Sequence, residues 1–201
     1  MTLSQQEKDT IRAYDELVSE RMKAGYFDPD FWKTVFNEFR EFVPEGRVID
    51  IGCGVGRDAH HFLDAGYKYM GIDLSEVSLE NARRLNPKGD FRCMDMYHLD
   101  FSDESFDGFW AVASFLHATK ERTPLLLKEA YRVLRAGGHG LVVMQEGDGE
   151  QVMKDRFFAF TQLEEFKTTL EESGFEVVRY YSDEGNTSRL KPTSGDNWLV
   201  Y

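Results

Sequence analysis

The segment Asp50-Ile51-Gly52-Cys53-Gly54-Val55-Gly56-Arg57 places glycines at three alternate positions. Lacking Cβ atoms, such residues turn the chain tightly and let a ligand press against peptide groups. A dinucleotide fingerprint needs its third glycine three residues after the second, and here that position is Arg57. Asp50, two residues before the first glycine, would repel a diphosphate and attract a cation. A second acid, Asp73, lies in Gly71-Ile72-Asp73-Leu74-Ser75, 21 residues after Gly52. At that spacing a carboxylate can accept the two hydroxyls of a ribose. A third, Asp95 in Cys93-Met94-Asp95-Met96, suits an adenine amine, with the Met96 amide meeting a ring nitrogen. Plainer roles stand beside these: a bare strand-to-helix turn, a helix cap at Asp73, a turn stabiliser at Asp95. Cys53 reads as a small buried filler with no catalytic part.

Two residues bear on proton transfer. His117 follows the apolar run Phe106–Ser114, and an imidazole titrates near working pH. It is a candidate general base, or else it lines a pocket or caps the next segment. Tyr14 lies on a helical stripe and either faces the site or packs in the core. His60 and His61 are expected to be half-exposed and structural.

The elements that must hold these groups follow from the periodicity. Ser4 and Glu7 form a capping box ahead of a helix carrying Ile11, Tyr14, Val18 and Met22. Asp28-Pro29 signals a second helix start, followed by Trp32, Val35, Phe36 and Phe39. Beyond Pro44 the chain alternates strands and helices. Strands are predicted over 48–51, 67–72, 91–93, 106–114, 141–144, 175–181 and 198–201. Helices are predicted after the glycine turn, from Ser75 to Leu85, from Thr123-Pro124 to a stop at Gly137-Gly138, and from a Thr161/Glu164 capping box to Gly174. Such alternation demands parallel pairing through right-handed crossovers, hence an α/β three-layer sandwich with ligands at the carboxyl ends of the strands. Residues 1–44 are expected to form an N-terminal helical lid and 45–201 one Rossmann-like domain.

The 201 residues carry 24 basic and 36 acidic side chains, net −12. No basic patch opposes that field, so nucleic-acid partners are disfavoured. Cys53 and Cys93 fall in no disulfide framework and no metal-ligand spacing. The polar N-terminus shows no signal peptide, and no apolar stretch approaches the ~20 residues that span a bilayer. A cytoplasmic protein without membrane or metal is expected.

Five ordered segments, VIDIGCGVGRD, YMGIDLS, DFRCMDM, FDGFWAVASFLHA and LKEAYRVLRAGG, run from about Arg47 to Met144. In that order and spacing the chain resembles a class I S-adenosylmethionine-dependent methyltransferase of the compact type acting on small molecules. The resemblance implies a seven-stranded, mostly parallel sheet with the last strand antiparallel. It also implies S-adenosylmethionine as donor and S-adenosylhomocysteine as product. By resemblance the donor's amino-acid end lies over Gly52–Gly56, Asp73 holds the ribose, and Asp95 and Met96 hold the adenine. Asp50, Cys53, Arg57, Leu74 and Ser114 complete the donor-binding set, and His117 and Tyr14 are the catalytic candidates.

Departures narrow the acceptor. After the fourth strand, methyltransferases of base amines carry Asn/Asp-Pro-Pro-aromatic, whereas this chain reads Ala113-Ser114-Phe115-Leu116. No cysteine follows a proline, as cytosine-carbon methylation needs. A small-molecule acceptor of unspecified O, N, S or C nucleophile is the expectation, its lid drawn from the N-terminal helices and from Gln145–Phe160. A donor-binding protein without methyl transfer is the alternative. A Rossmann oxidoreductase is opposed by Arg57 and Asp50.

Overall fold

The computed structural model describes residues 3–24, 30–183 and 197–201. Helices α1 (Gln5–Ala24) and α2 (Lys33–Phe42) precede β1 (Arg47–Ile51), α3 (Ala59–Asp64), β2 (Lys68–Asp73), α4 (Glu76–Leu85) and β3 (Asp90–Cys93). Then follow β4 (Phe106–Val112), a 3₁₀ turn (Phe115–His117), α5 (Thr123–Val133), β5 (Leu134–Gln145), β6 (Glu150–Met153) and β7 (Arg156–Ala159). Helix α6 (Leu163–Glu172), β8 (Tyr181–Asp183) and β9 (Trp198–Val200) end the described chain.

Seven strands form one sheet in the order β3-β2-β1-β4-β5-β9-β8. β9 runs antiparallel to both β5 and β8, while β1 to β5 pair in parallel. The strand order reverses between β1 and β4, so their carboxyl ends open the crevice in which α/β sheets bind ligands.

Side-chain alternation sorts the core into two layers. Val48, Trp110 and Val143 pack with α2, α3 and α4 on one face. Ile49, Phe109 and Val142 pack with α5 and α6 on the other. Trp110 meets Phe36, Phe39 and Phe62 edge-on and donates from its indole to Asp58. Trp32, Val35, Phe36, Phe39 and Val43 are all buried. Of the lid expected over residues 1–44, α2 is therefore built into the core. α1 is different: Thr10 is its only residue classed as buried among those described. The capping box at its start is present, Ser4 Oγ accepting from Glu7 N and Glu7 Oε2 from Ser4 N. Asp28-Pro29 lies outside the described residues.

Several predicted boundaries move, each for a tertiary reason. α5 stops at Val133, not at Gly137-Gly138, because Leu134 already pairs with Phe106. The glycines sit in a register shift between β4 and β5, and a Cβ on Gly138 would come within 2.8 Å of the Asp107 carbonyl. The α6 box is Gln162/Glu165, one residue past the expected pair, since Thr161 is held by a bridge to Glu146. The strand expected over 175–181 begins only at Tyr181, because β9 offers partners from Trp198 to Val200 alone. Residues 145–160 are not an open loop. They contain the hairpin β6–β7, whose turn residues Lys154 and Asp155 have φ of 50° and 60°.

Candidate functional site

The glycine turn leaves β1 at its carboxyl end, where Gly52 N and Cys53 N donate to the Ile72 carbonyl at 2.8 and 2.9 Å. Gly52 and Gly54 have φ of +80° and +53°, a region that side chains with a Cβ avoid. The two differ in surroundings. A Cβ at Gly52 would meet Ser114 Cβ at 2.4 Å, whereas one at Gly54 would find, apart from its chain neighbours, no atom of the described residues within 4 Å. The backbone at Gly54 thus borders free volume.

Asp73 ends β2 beneath that volume. Its Oδ2 accepts from Gly54 N and its Oδ1 from Ser75 N, both at 2.9 Å. Burial pushes this carboxyl up, and the peptide N–H groups of Ser75 and Gly54 pull it back. Each oxygen retains a lone pair, so the group can receive further donors. Ser75 caps α4 by accepting from Ser78 N and donates its hydroxyl to Asp15 of α1.

Asp50 lies under the turn, 3% exposed, accepting from the Tyr69 hydroxyl at 2.6 Å. Burial, aided by the nearby Asp58 charge, drives its carboxyl well above the usual range. Ser114, at the end of β4 opposite Gly52, has a buried Oγ without a hydrogen-bond partner among the described residues. Its backbone follows Ala113, held at φ 54°. An unpartnered hydroxyl, an uncovered glycine backbone and a half-buried carboxylate with spare acceptor capacity fit a polar ligand carrying its own donors and acceptors.

The structure does not gather every expected residue. Arg57 turns away, forking onto Asp58 at 2.9 and 3.2 Å with its guanidinium over Phe31 and Trp32. Cys53 is buried, and its thiol is pushed up by desolvation, as befits a filler. Asp95 uses Oδ1 to accept from Tyr97 N at 2.9 Å, so the turn-stabilising role is present, while Oδ2 stays 4.0 Å from His98. Met96 is partly buried against the core, and Leu74 offers its carbonyl to Cys93 at 3.7 Å. His60 and His61 are not alike: His61 is buried on the Phe36 ring, contrary to the half-exposed expectation, and His60 bonds the Arg57 carbonyl at 2.9 Å.

His117 and Tyr14 do meet. His117 Nδ1 lies 2.7 Å from the Phe157 carbonyl, an acceptor only, so the proton is on Nδ1. Nε2 is then the acceptor, and the Tyr14 hydroxyl donates to it across 2.8 Å. Burial, with Arg156 nearby, lowers the imidazole to about 4. It is neutral at pH 7.

Sequence reasoning missed the partners that α1 finds. Thr10 Oγ1 accepts from Phe157 N at 3.0 Å, and Glu7 pairs with Arg122 at 2.5 Å, whose guanidinium stacks 3.8 Å from the Tyr97 ring. The hairpin that supplies Phe157 carried little signal, because Lys154-Asp155 lacks the Asn-Gly or Asp-Gly usual at such turns.

A seven-stranded sheet of this order, with a glycine turn after β1 and an acid ending β2, defines a class I methyltransferase fold. Residues 48–138 match the methyltransferase domain family. The chain is 34% identical over 189 residues to 27-O-demethylrifamycin SV methyltransferase of Amycolatopsis mediterranei, covering 81% of this chain and 69% of that one. It is 36% identical over 99 residues to the methyltransferase GfsG of Streptomyces halstedii, 46% of this chain but only 35% of that protein. The solved structure of Burkholderia thailandensis 1,6-didemethyltoxoflavin-N1-methyltransferase superposes with a TM-score of 0.73 at 21% identity, covering 100% of this chain and 89% of that one. This chain belongs to the class I S-adenosylmethionine-dependent methyltransferases. No helix among the described residues is long and apolar enough to cross a membrane.

Proposed function

We propose that the protein transfers a methyl group from S-adenosylmethionine to a small-molecule acceptor held between the carboxyl end of β4, the hairpin β6–β7 and α1. The observation that carries the reading is the tie from Asp73 to Gly54, beside backbone that no Cβ covers. The relative from Amycolatopsis and the toxoflavin-precursor enzyme are both named for small-molecule methylation. When bound, the donor supplies an electrophilic methyl on a sulfonium. The chain's part is binding, alignment and exclusion of water. Gly52–Gly56 and Ser114 receive the amino-acid end, Asp73 the ribose diol, and Asp95 with the Met96 amide the adenine.

His117 serves here as a latch, not as the proton acceptor. A general base works best with a pKa near the operating pH, and this imidazole is lowered to about 4 with both nitrogens engaged. It holds Tyr14, and through Tyr14 it holds α1. Titration calorimetry tests the whole reading: S-adenosylmethionine and S-adenosylhomocysteine should bind with similar affinity, since most contacts go to their shared parts. Absence of binding by both at millimolar concentration would overturn it.

Two expected results follow from the same geometry. Asp73→Ala should weaken donor binding by roughly 1–3 kcal/mol, the cost of unmatched polar groups. It should also lower stability, since Gly54 N and Ser75 N lose their acceptor. Donor affinity unchanged at equal folded fraction would leave Asp73 as a structural tie only.

The second concerns acid. Below pH 6.5 the unfolded His117 takes up a proton that the folded imidazole refuses until about pH 4. Stability is therefore lost as pH falls through that window, by at most about 3 kcal/mol from this group. Asp50 and Asp73, raised in the folded state, titrate with the opposite sign. The clean readout is the difference between wild type and His117→Gln in urea melts at several pH values. A difference that does not change between pH 7 and 4 would show that the imidazole is not held neutral.

A further inference from the structure

Arg156 opens β7, the strand that packs against both α1 and the turn carrying His117. Its guanidinium carbon lies 5.2 Å from the ring centroid of Tyr14 and 5.2 Å from that of Phe158. Those two rings are also the neighbours of His117, at 5.0 and 5.1 Å. The cation is thus half-buried among the residues at the acceptor side of the transfer site.

Its lack of an anionic partner is out of keeping with the chain. The protein has 36 acidic against 24 basic residues, yet the Arg156 guanidinium makes no ion pair and no hydrogen bond among the described residues. Three acids on the adjacent elements are committed elsewhere. Glu7 pairs with Arg122, Asp15 accepts from Ser75, and Glu150 accepts from Lys120 N. Aromatic faces hold a guanidinium plane by cation–π attraction and leave its N–H edge free, and that edge matches two oxygens of a carboxylate or phosphate. The neutral His117 adds no competing positive charge.

We infer that Arg156 is an oxyanion subsite: the methyl acceptor carries a carboxylate or phosphate that pairs with its guanidinium while the nucleophile lies by Tyr14 and His117. This rests on the methyl-transfer reading above and names the substrate class within it.

The full chain saturated with S-adenosylhomocysteine is titrated calorimetrically with benzoate, phenyl phosphate and the neutral benzamide. At least one anion should bind roughly tenfold or more tighter than benzamide, and the tighter of the two identifies carboxylate or phosphate as the group. Arg156→Met should bring the anions down to the affinity of benzamide, and Arg156→Lys should fall between, with S-adenosylhomocysteine affinity held throughout. That retained affinity shows each variant is folded. The subsite is overturned if benzamide binds as tightly as the anions, if Arg156→Met keeps the anion preference, or if neither anion binds by ~20 mM. Failure of S-adenosylhomocysteine itself to bind overturns the methyltransferase reading instead, so the two failures are distinct.

Discussion

Gly54→Val is expected to lower donor affinity by roughly a hundredfold or more, about 3 kcal/mol, while leaving a folded protein. The backbone there has φ +53°, and a Cβ would meet no atom of the described residues within 4 Å beyond its chain neighbours. Folding therefore loses only the left-handed strain of a residue with a side chain, about 1–2 kcal/mol. The ligand is expected to lose much more, because a branched side chain would occupy the volume where the donor's amino-acid end is proposed to meet the peptide. Gly52 is the internal contrast. A Cβ there runs into Ser114 at 2.4 Å, so Gly52→Val should cost stability and binding together. Calorimetry with S-adenosylmethionine and urea unfolding of both variants separate the cases. Normal donor binding by Gly54→Val would show that the turn is not the contact surface.

Removal of residues 1–28 should leave a folded domain that binds donor at least tenfold more weakly, about 1.4 kcal/mol, and transfers no methyl. The physical reason lies in how α1 is attached. α2 carries Val35, Phe36 and Phe39 into the core, but α1 is held mainly by single polar contacts: Glu7 to Arg122, Thr10 to Phe157 N, Tyr14 to His117 and Asp15 to Ser75. Among the described side chains no apolar residue of α1 belongs to either core layer, so the sheet is expected to survive. Two of these contacts reach the proposed donor and acceptor sides, because Ser75 neighbours Asp73 and His117 ends the β4 turn. A helix latched in this way can open for exchange and close to exclude water during transfer. The truncated protein is assayed for donor affinity, for release of S-adenosylhomocysteine and for thermal unfolding. Full turnover without α1 would refute the lid; loss of cooperative unfolding would show that α1 belongs to the core.

The order of elements, the glycine turn, the two acid-bearing strand ends and the parallel sheet were legible in the sequence. Each is a local signal, a periodicity of 2 or 3.6 or a residue type demanded at one backbone position, and such signals do not depend on distant partners. Glycines at 52, 54 and 56 all adopt positive φ, and Ser75 caps α4. Elements whose limits depend on a partner strand were not legible. α5 gives way to β5 at Leu134 because Phe106 lies beside it, and residues 175–180 join no strand among the described residues because β9 is short. The β6–β7 hairpin belongs here too. Its turn is strained and lacks the glycine that would have announced it.

Side-chain roles divide along the same line. Composition and spacing alone determined that Asp73 ends a strand next to a glycine turn and that His117 follows the fourth strand. Only the tertiary structure decided which way His117 is protonated, since Phe157 and Tyr14 come from elements 40 and 103 residues away. Arg57 stood where a site residue was expected and is tied to Asp58. Arg156, which no motif marked, lies beside Tyr14 and His117 with no ion pair among the described residues. The identity of a charged group is local, but its use depends on where its counter-charge lies, and chain folding alone sets that distance.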